Sequence, residues 1–460
     1  MKKFISAIIA TILTVTITSC TAEAPHLLNF IDNNEEYTPD FSGRTIIFGL
    51  RSFGEGDLII PETTTNTVEA DEQRAKVNNI KKLLNCNIEQ KIQEDSSVIV
   101  GAIASQSTDI DIYYGASYDQ SQWCKAGILH DFRENDVIDI TDESRWGTEK
   151  RQQAMTYKGI VFGILPQNAI GISDATGIIL TNDHKINSFA QPTPKELFEN
   201  GNWTFDYFKD YIVSVSDMNA STPIYGMTIA RSQEYILPLT AALANGSSML
   251  NPTDEGNYEF TLGKDPKAVY ALDWISEVYQ TGVIADDNYN DTFSGYFSNG
   301  LTSLYIGTTG VGTANLDGFP LRELNEGFSF ISFPYGPDAE YGKTNSTFFI
   351  ATMSYAIPVS SDAHDMGLFL NEFCKNSMSE EEILLKKQNY IEQYFHHPED
   401  YDYIYEIGNG SSYMFLLSEL YEVHGEIQDS LTSVMKGNRS ATESFDKITP
   451  RVEAILDNLK

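Results

Sequence analysis

The sequence predicts an α/β protein of mainly parallel sheets flanked by helices. The first observation is the order of elements in the N-terminal part. A β-branched run, Arg44–Leu50 (RTIIFGL), precedes a helical stretch, Glu69–Leu84, with Val77, Ile80, Leu83 and Leu84 on one face. An alternating segment, Ile88–Ile92, and the apolar run Ile110–Tyr114 (IDIYY), stopped by Gly115, follow. Strands that alternate with helices over short links form a parallel sheet covered by those helices. The second observation is size: 460 residues, 41% of them apolar, supply a sizeable core and two or three compact units. The third is evenness, since no internal repeat or low-complexity block interrupts the chain.

Upstream of the first strand, Lys2 and Lys3 precede an uncharged run, Phe4–Ser19, that ends in Ile17-Thr18-Ser19-Cys20. Sixteen residues are too few to span a bilayer comfortably, so residues 1–19 are read as an export signal. An apolar residue, two small residues and a cysteine, placed there, resemble the lipobox of bacterial lipoproteins. That resemblance implies cleavage before Cys20 and a lipid on its sulfur. Residues 20–40 are polar and aperiodic and read as a tether.

The middle of the chain is mixed. Strands are expected at Ile160–Leu165, stopped by Pro166, and at Ile178–Leu180. Trp203–Val215 reads as a helix with Phe205, Phe208, Ile212 and Val215 on one stripe. Thr204 is its N-cap, with Trp203 and Phe208 at the positions of a hydrophobic staple. Asp265-Pro266 opens a further helix and Gly282 closes it. Leu304–Ile306 and Phe328–Phe333 are expected strands. From Ser379 onward nearly everything is expected to be helical, beginning with a Ser379–Glu382 capping box. The final stripe is Ile448, Val452, Ile455 and Leu459.

Charge excludes one class of function. There are 31 Lys+Arg against 65 Asp+Glu, a formal charge of −34, and no basic cluster that could face a phosphate backbone. Loss of Lys2 and Lys3 with the signal takes the charge from −34 to −36. Cys86, Cys124 and Cys374 are an odd set without C-x-x-C spacing, and are expected to be small buried thiols.

Enzyme and metal motifs fail on spacing. Gly171-Ile172-Ser173-Asp174-Ala175 lacks the second glycine of a nucleophile elbow. His396-His397 offers no third metal ligand. Gly336–Thr344 (GPDAEYGKT) places five residues between its glycines where a phosphate loop needs four. Asp286, Asn288 and Asn290 begin like a calcium loop, but Asp291 stands where the turn glycine belongs and Phe297 where the bidentate glutamate belongs. No carboxylate pair is singled out for glycoside hydrolysis. Catalytic residues, metal and cofactor are therefore all expected to be absent.

Several segments, in order, resemble the extracellular solute-binding proteins of ABC importers, family 1. Ser107–Gly115 (STDIDIYYG) resembles a strand of that family. Trp123–Phe132 (WCKAGILHDF) resembles the helix, glycine and turn that follow, and Lys158–Pro166 (KGIVFGILP) the strand entering the hinge. The strongest match is Pro192–Phe208 (PTPKELFENGNWTFDYF), with Phe205 in place of a second tryptophan. Gly300–Gly307, Phe333–Pro337 (FPYGP), Ala356-Ile357-Pro358 and Gly437–Phe445 (GNRSATESF) continue the series to the last helix. The resemblance covers most of residues 44–460. It implies a two-lobe periplasmic-binding-protein-like fold of type II, with a hinge and a cleft between the lobes. Crossings at Leu165-Pro166 and Phe333-Pro334 put 41–165 and 335–372 in the first lobe, and 166–334 and 373–460 in the second.

The resemblance also implies the function: capture of a mono- or oligosaccharide and delivery to the permease subunits of an ABC importer. The protein would be a monomer held to the outer face of the cytoplasmic membrane only by its lipid. A ligand sensor or a binder of a non-sugar solute on the same fold, or a surface-anchored hydrolase, stays as the alternative. The 25 Tyr and 25 Phe suit a sugar, since flat rings cover its C–H faces. Ligand contacts are expected at the carboxyl ends of strands. After the first strand these are Arg51, Ser52, Phe53 and Glu55, and after the third Tyr114, Ser117, Tyr118 and Asp119. Ser232–Leu239 (SQEYILPL) resembles a sugar-contacting family segment and contributes Glu234 and Tyr235. Gly307–Gly310 (GTTG) stands where relatives present a tryptophan, which speaks against a maltodextrin and leaves Thr308 and Thr309 as donors. Tyr413 and Phe415 are placed at the start of a helix as aromatic contacts.

Overall fold

The computed structural model describes residues 38–51, 59, 68–93, 96–167, 175–229, 233–253, 258–286, 295–308, 327–349, 352–375, 379–413 and 420–458. Along the chain come β1 (Thr45–Arg51), α1 (Val68–Leu83), β2 (Asn87–Gln93), α2 (Ser96–Ala104), β3 (Ile112–Ala116) and α3 (Ser117–Lys125). A small hairpin follows, β4 (Thr156–Tyr157) and β5 (Ile160–Val161), then β6 (Thr176–Thr181), α4 (Phe205–Ser214), β7 (Tyr225–Ile229) and α5 (Ile236–Ala244). A second hairpin, β8 (Leu250–Pro252) and β9 (Tyr258–Phe260), leads to α6 (Pro266–Tyr279), β10 (Ile284–Asp286), β11 (Thr302–Thr308), β12 (Ser329–Ile331) and β13 (Phe348–Phe349). The rest is β14 (Met353–Ala356), α7 (Ala363–Phe373), α8 (Glu380–Tyr394), α9 (Glu399–Gly410), β15 (Ser412–Tyr413), α10 (His424–Met435), α11 (Ala441–Asp446) and α12 (Thr449–Asp457).

These strands build two α/β sheets. The first has the order β14-β3-β1-β2, and the second β10-β7-β11-β6-β13-β15 with β12 added on β6. In the first, β1 runs parallel to β2 and β3, and β14 closes the edge antiparallel to β3. In the second, β7, β10 and β11 are parallel, while β6 runs antiparallel to β11, β12 and β13.

The central strands are covered on both faces, which is why β1, β6 and β11 read as apolar runs, whereas the edge strand β2 keeps its alternating, partly exposed pattern. Ile46 and Phe48 of β1 pack with Val77, Ile80 and Leu84, whereas Ile47 packs on the opposite side with Ile110, Tyr113 and Trp123. Ile179 of β6 and Leu304 and Ile306 of β11 enter the largest core, while Ile178, Leu180 and Tyr305 point into an aromatic cluster roofed by α8 and α9.

Local signals hold where the chemistry is local. Ser379 and Glu382 form the expected capping box, and Asp265 accepts from the Lys267 amide ahead of Pro266. Thr204 takes the N-cap position of α4, but its hydroxyl makes no cap hydrogen bond. The staple does form: Trp203 and Phe208 meet edge to face at 5.4 Å. Cys86, Cys124 and Cys374 are all buried.

Four expectations need correction. The strand expected over Ile160–Leu165 shrinks to β5 plus a single bridge from Ile164 to Tyr355. Phe328–Phe333 is no crossing strand, because Ser329–Ile331 pairs with β6 inside the second sheet. The boundary at 335 is too early. Tyr335 exchanges backbone hydrogen bonds with Trp203 and Phe205, and Phe348 and Phe349 belong to the second sheet, so the chain returns to the first sheet only between Phe349 and Met353. Gly336 fixes this arrangement, since a Cβ there would collide with the Asn245 amide. Finally, Tyr413 opens no helix; it is a strand residue paired with Phe349.

Candidate functional site

Parallel strands gather ligand-binding residues beyond their carboxyl ends, where helix N-termini and loop amides converge. In the first sheet the described residues at that edge are Arg51 of β1, Gln93 of β2 and the junction of β3 with α3. Ser52, Phe53 and Glu55 lie outside the described residues.

At the β3–α3 junction the four expected residues separate by role. Tyr114 is half-buried, and its ring lies 4.6 Å from that of Tyr355, so one face is used in packing. Ser117 is buried and works as a joint. Its amide donates to the Thr352 carbonyl at 2.7 Å, and its hydroxyl accepts from the Thr352 amide at 3.1 Å. These bonds fasten the entry of β14 to the first turn of α3. Tyr118 and Asp119 occupy that same turn and are partly exposed.

In the second sheet the edge carries the ends of β7, β10 and β11. Glu234 stands just before α5, and its Oε1 accepts from Lys436 Nζ at 3.3 Å. Lys436 itself follows α10 and lies 4.0 Å from Oδ2 of Asp286, the last residue of β10. Burial acts to raise the Glu234 carboxyl, but its own amide and the Lys436 ammonium together hold it below the usual value. Asp286 has the opposite balance: burial and then the Glu234 charge push it up to about 6, against Lys436. Tyr235 is buried in the main core, where burial raises its phenol to about 12. Its ring is therefore packed, and Glu234 is the more accessible of the pair. Thr308 ends β11 at a bulge opposite Thr176. Thr309, Phe415 and Cys20 lie outside the described residues, as does the Tyr413 side chain.

Asp286 and Lys436 were not expected here. Asp286 had a signal, because it ends a short apolar segment, but its acidic neighbours suggested only a failed calcium loop. Lys436 is brought in by the packing of α10, roughly two hundred residues away in sequence. Among the described residues no group of three His, Cys, Asp or Glu side chains could hold a metal ion. His397 Nε2 faces Asp183 at 3.8 Å, and His396 packs edge to face on Phe328.

The segment with the strongest family resemblance turns out to be a packing motif. Trp203 is fully buried and donates its indole N–H to the Ser332 carbonyl at 2.9 Å, and the Tyr211 hydroxyl donates to the Pro192 carbonyl at 2.8 Å.

Solved structures resemble the chain over about nine-tenths of its length. The cyclic alpha-maltosyl-1,6-maltose binding protein of Arthrobacter globiformis aligns with a TM-score of 0.64 at 15% identity, over 90% of this chain and 99% of that one. The chain has the two-lobe binding-protein fold. The GacH receptor of Streptomyces glaucescens, whose structures include a complex with acarbose, aligns at 0.61 and 12% identity, over 91% of this chain and 100% of that one. An ABC transporter solute-binding protein of Thermotoga lettingae bound with alpha-D-tagatose aligns at 0.57 and 15% identity, over 90% and 100%. No protein-family model and no curated protein sequence matches the chain. Among the described residues no helix is long and apolar enough to cross a membrane.

Proposed function

We propose that this protein is the extracellular solute-binding component of an ABC importer, capturing a carbohydrate between its lobes. The observation that carries the reading is the two-lobe fold, which it shares with sugar-binding structures over nine-tenths of its length. The chemistry at the strand ends supports it. An ionised Glu234 accepts hydrogen bonds from hydroxyls, Tyr118 offers an aromatic face from the other lobe, and closure around a sugar removes water from both. In this reading Cys20 carries the lipid, residues 20–40 form the tether, and the permease subunits receive the solute.

The test is a thermal-shift survey against mono- and oligosaccharides. A ligand present at 100 times its Kd stabilises the folded state by about 2.7 kcal/mol, a readily measured rise in Tm. In calorimetry with the best sugar, Glu234→Ala and Tyr118→Ala should each weaken binding by about tenfold, the size expected for a charged hydrogen bond or a stacked ring. No stabilisation by any sugar, or turnover of a glycan, overturns the reading. The anchor has its own check, since Cys20→Ala should release the protein from the membrane fraction.

A further inference from the structure

Three ionisable side chains from three separate elements meet at the carboxyl edge of the second sheet. Glu234 comes from the turn before α5, Asp286 from the end of β10, and Lys436 from the end of α10. The ammonium is 3.3 Å from one carboxylate and 4.0 Å from the other, so it serves both and favours Glu234. Tyr279, which ends α6, is the fourth titratable group here; burial raises its phenol and the Asp286 charge adds to this. Among the described residues, Asp286 Oδ1 is buried without a hydrogen-bond partner. Two carboxylates share one cation, so one of them is left poorly compensated, and a proton relieves the imbalance.

We propose that Lys436 is a positioning residue for solute binding: it keeps Glu234 ionised and aimed as an acceptor for ligand hydroxyls, while Asp286 takes up a proton on acidification and competes for that acceptor. This rests on the reading of Glu234 as a solute contact. The competition is geometric. Lys436 occupies one side of Glu234, and the Asp286 carboxyl lies within hydrogen-bond reach of the same carboxylate, so once protonated it donates there and a sugar hydroxyl finds fewer open lone pairs. Binding therefore weakens as pH falls, and the dependence lives in Asp286 rather than in the ligand, since a neutral sugar does not titrate.

The experiment is calorimetric measurement of Kd for the best sugar near pH 5 and near pH 7.5, with wild type, Asp286→Asn, Lys436→Met and Lys436→Arg. Wild type should bind a few-fold more weakly at the lower pH, and Asp286→Asn should flatten the profile. Lys436→Met should weaken binding by about tenfold at the higher pH and alter the profile, with Lys436→Arg restoring most of both. A merely structural role for Lys436 would lower Tm without changing the pH profile of the molecules that remain folded. Wild type and Asp286→Asn with the same profile, or Lys436→Met binding as wild type does, overturns this inference while the sugar-binding reading stands. Failure of wild type to bind any sugar overturns both.

Discussion

Lys386 on α8 pairs with Glu72 on α1 at 2.6 Å. The two helices pack on different sheets. Val77 and Ile80 seat α1 on the first sheet, while Tyr390, Ile391 and Tyr394 seat α8 on the aromatic cluster of the second. The ion pair therefore ties a helix of the first sheet to a helix of the second. Both partners are substantially exposed, so the pair is worth about 0–1 kcal/mol. Lys386→Glu should leave Tm almost unchanged and widen the distance distribution between spin labels on α1 and α8. An unaltered distribution would show that the pair does not restrain the two helices.

Trp203 predicts a stability effect. It is fully buried, contacts Phe208 and Tyr211 edge to face, and spends its indole N–H on Ser332. Trp203→Ala should cost about 3–5 kcal/mol in denaturant unfolding. A loss below about 1 kcal/mol would mean the site repacks and the staple is dispensable.

Asp400 predicts a pH effect. It is buried, accepts from the Phe330 amide at 3.2 Å, and has Lys195 at 3.7 Å. Burial outweighs both partners and pushes it up to about 6. In the unfolded chain the group titrates near about 4. A carboxyl raised in the folded state holds its proton more tightly there. Its contribution to stability is present below the unfolded value and is lost as pH rises through about 6. Asp400→Asn keeps an acceptor for Phe330 and removes the titration. The Tm of this variant should gain on wild type between pH 5 and pH 7.5; a constant difference would refute the assignment.

The thiols predict a reactivity pattern. Burial pushes Cys374 up to about 12 and raises Cys86 as well. Reactivity follows the thiolate, so both should resist an alkylating reagent until the protein unfolds. Rapid labelling of Cys374 in the native protein, read by peptide mass, would contradict the packing around it.

The α/β class, most element positions and the caps were legible in the sequence because they depend on neighbours within a turn or a strand. Val77, Ile80 and Leu84 show the buried stripe of α1, though Leu83, expected on it, is exposed; Ser379–Glu382 shows its reciprocal bonds and Asp265-Pro266 its N-terminal geometry. The candidate site was legible only in part. Glu234 was marked by resemblance, and Tyr118 and Asp119 by their place after a strand, but nothing local distinguished them from the packed Tyr235 or from Ser117, which joins α3 to β14. What only the tertiary structure decided depends on long-range pairing. Phe348–Phe349 looks like any short apolar run until β6 and β15 claim it for the second sheet, which moves the crossing expected at 335. Lys436 is one exposed-looking lysine among many until α10 brings it to Glu234 and Asp286. Periodicity reports which face of an element is buried, but hydrogen-bond partners and charge neighbours distant in sequence are chosen by the packing of whole elements, and a single strand or side chain carries no record of that choice.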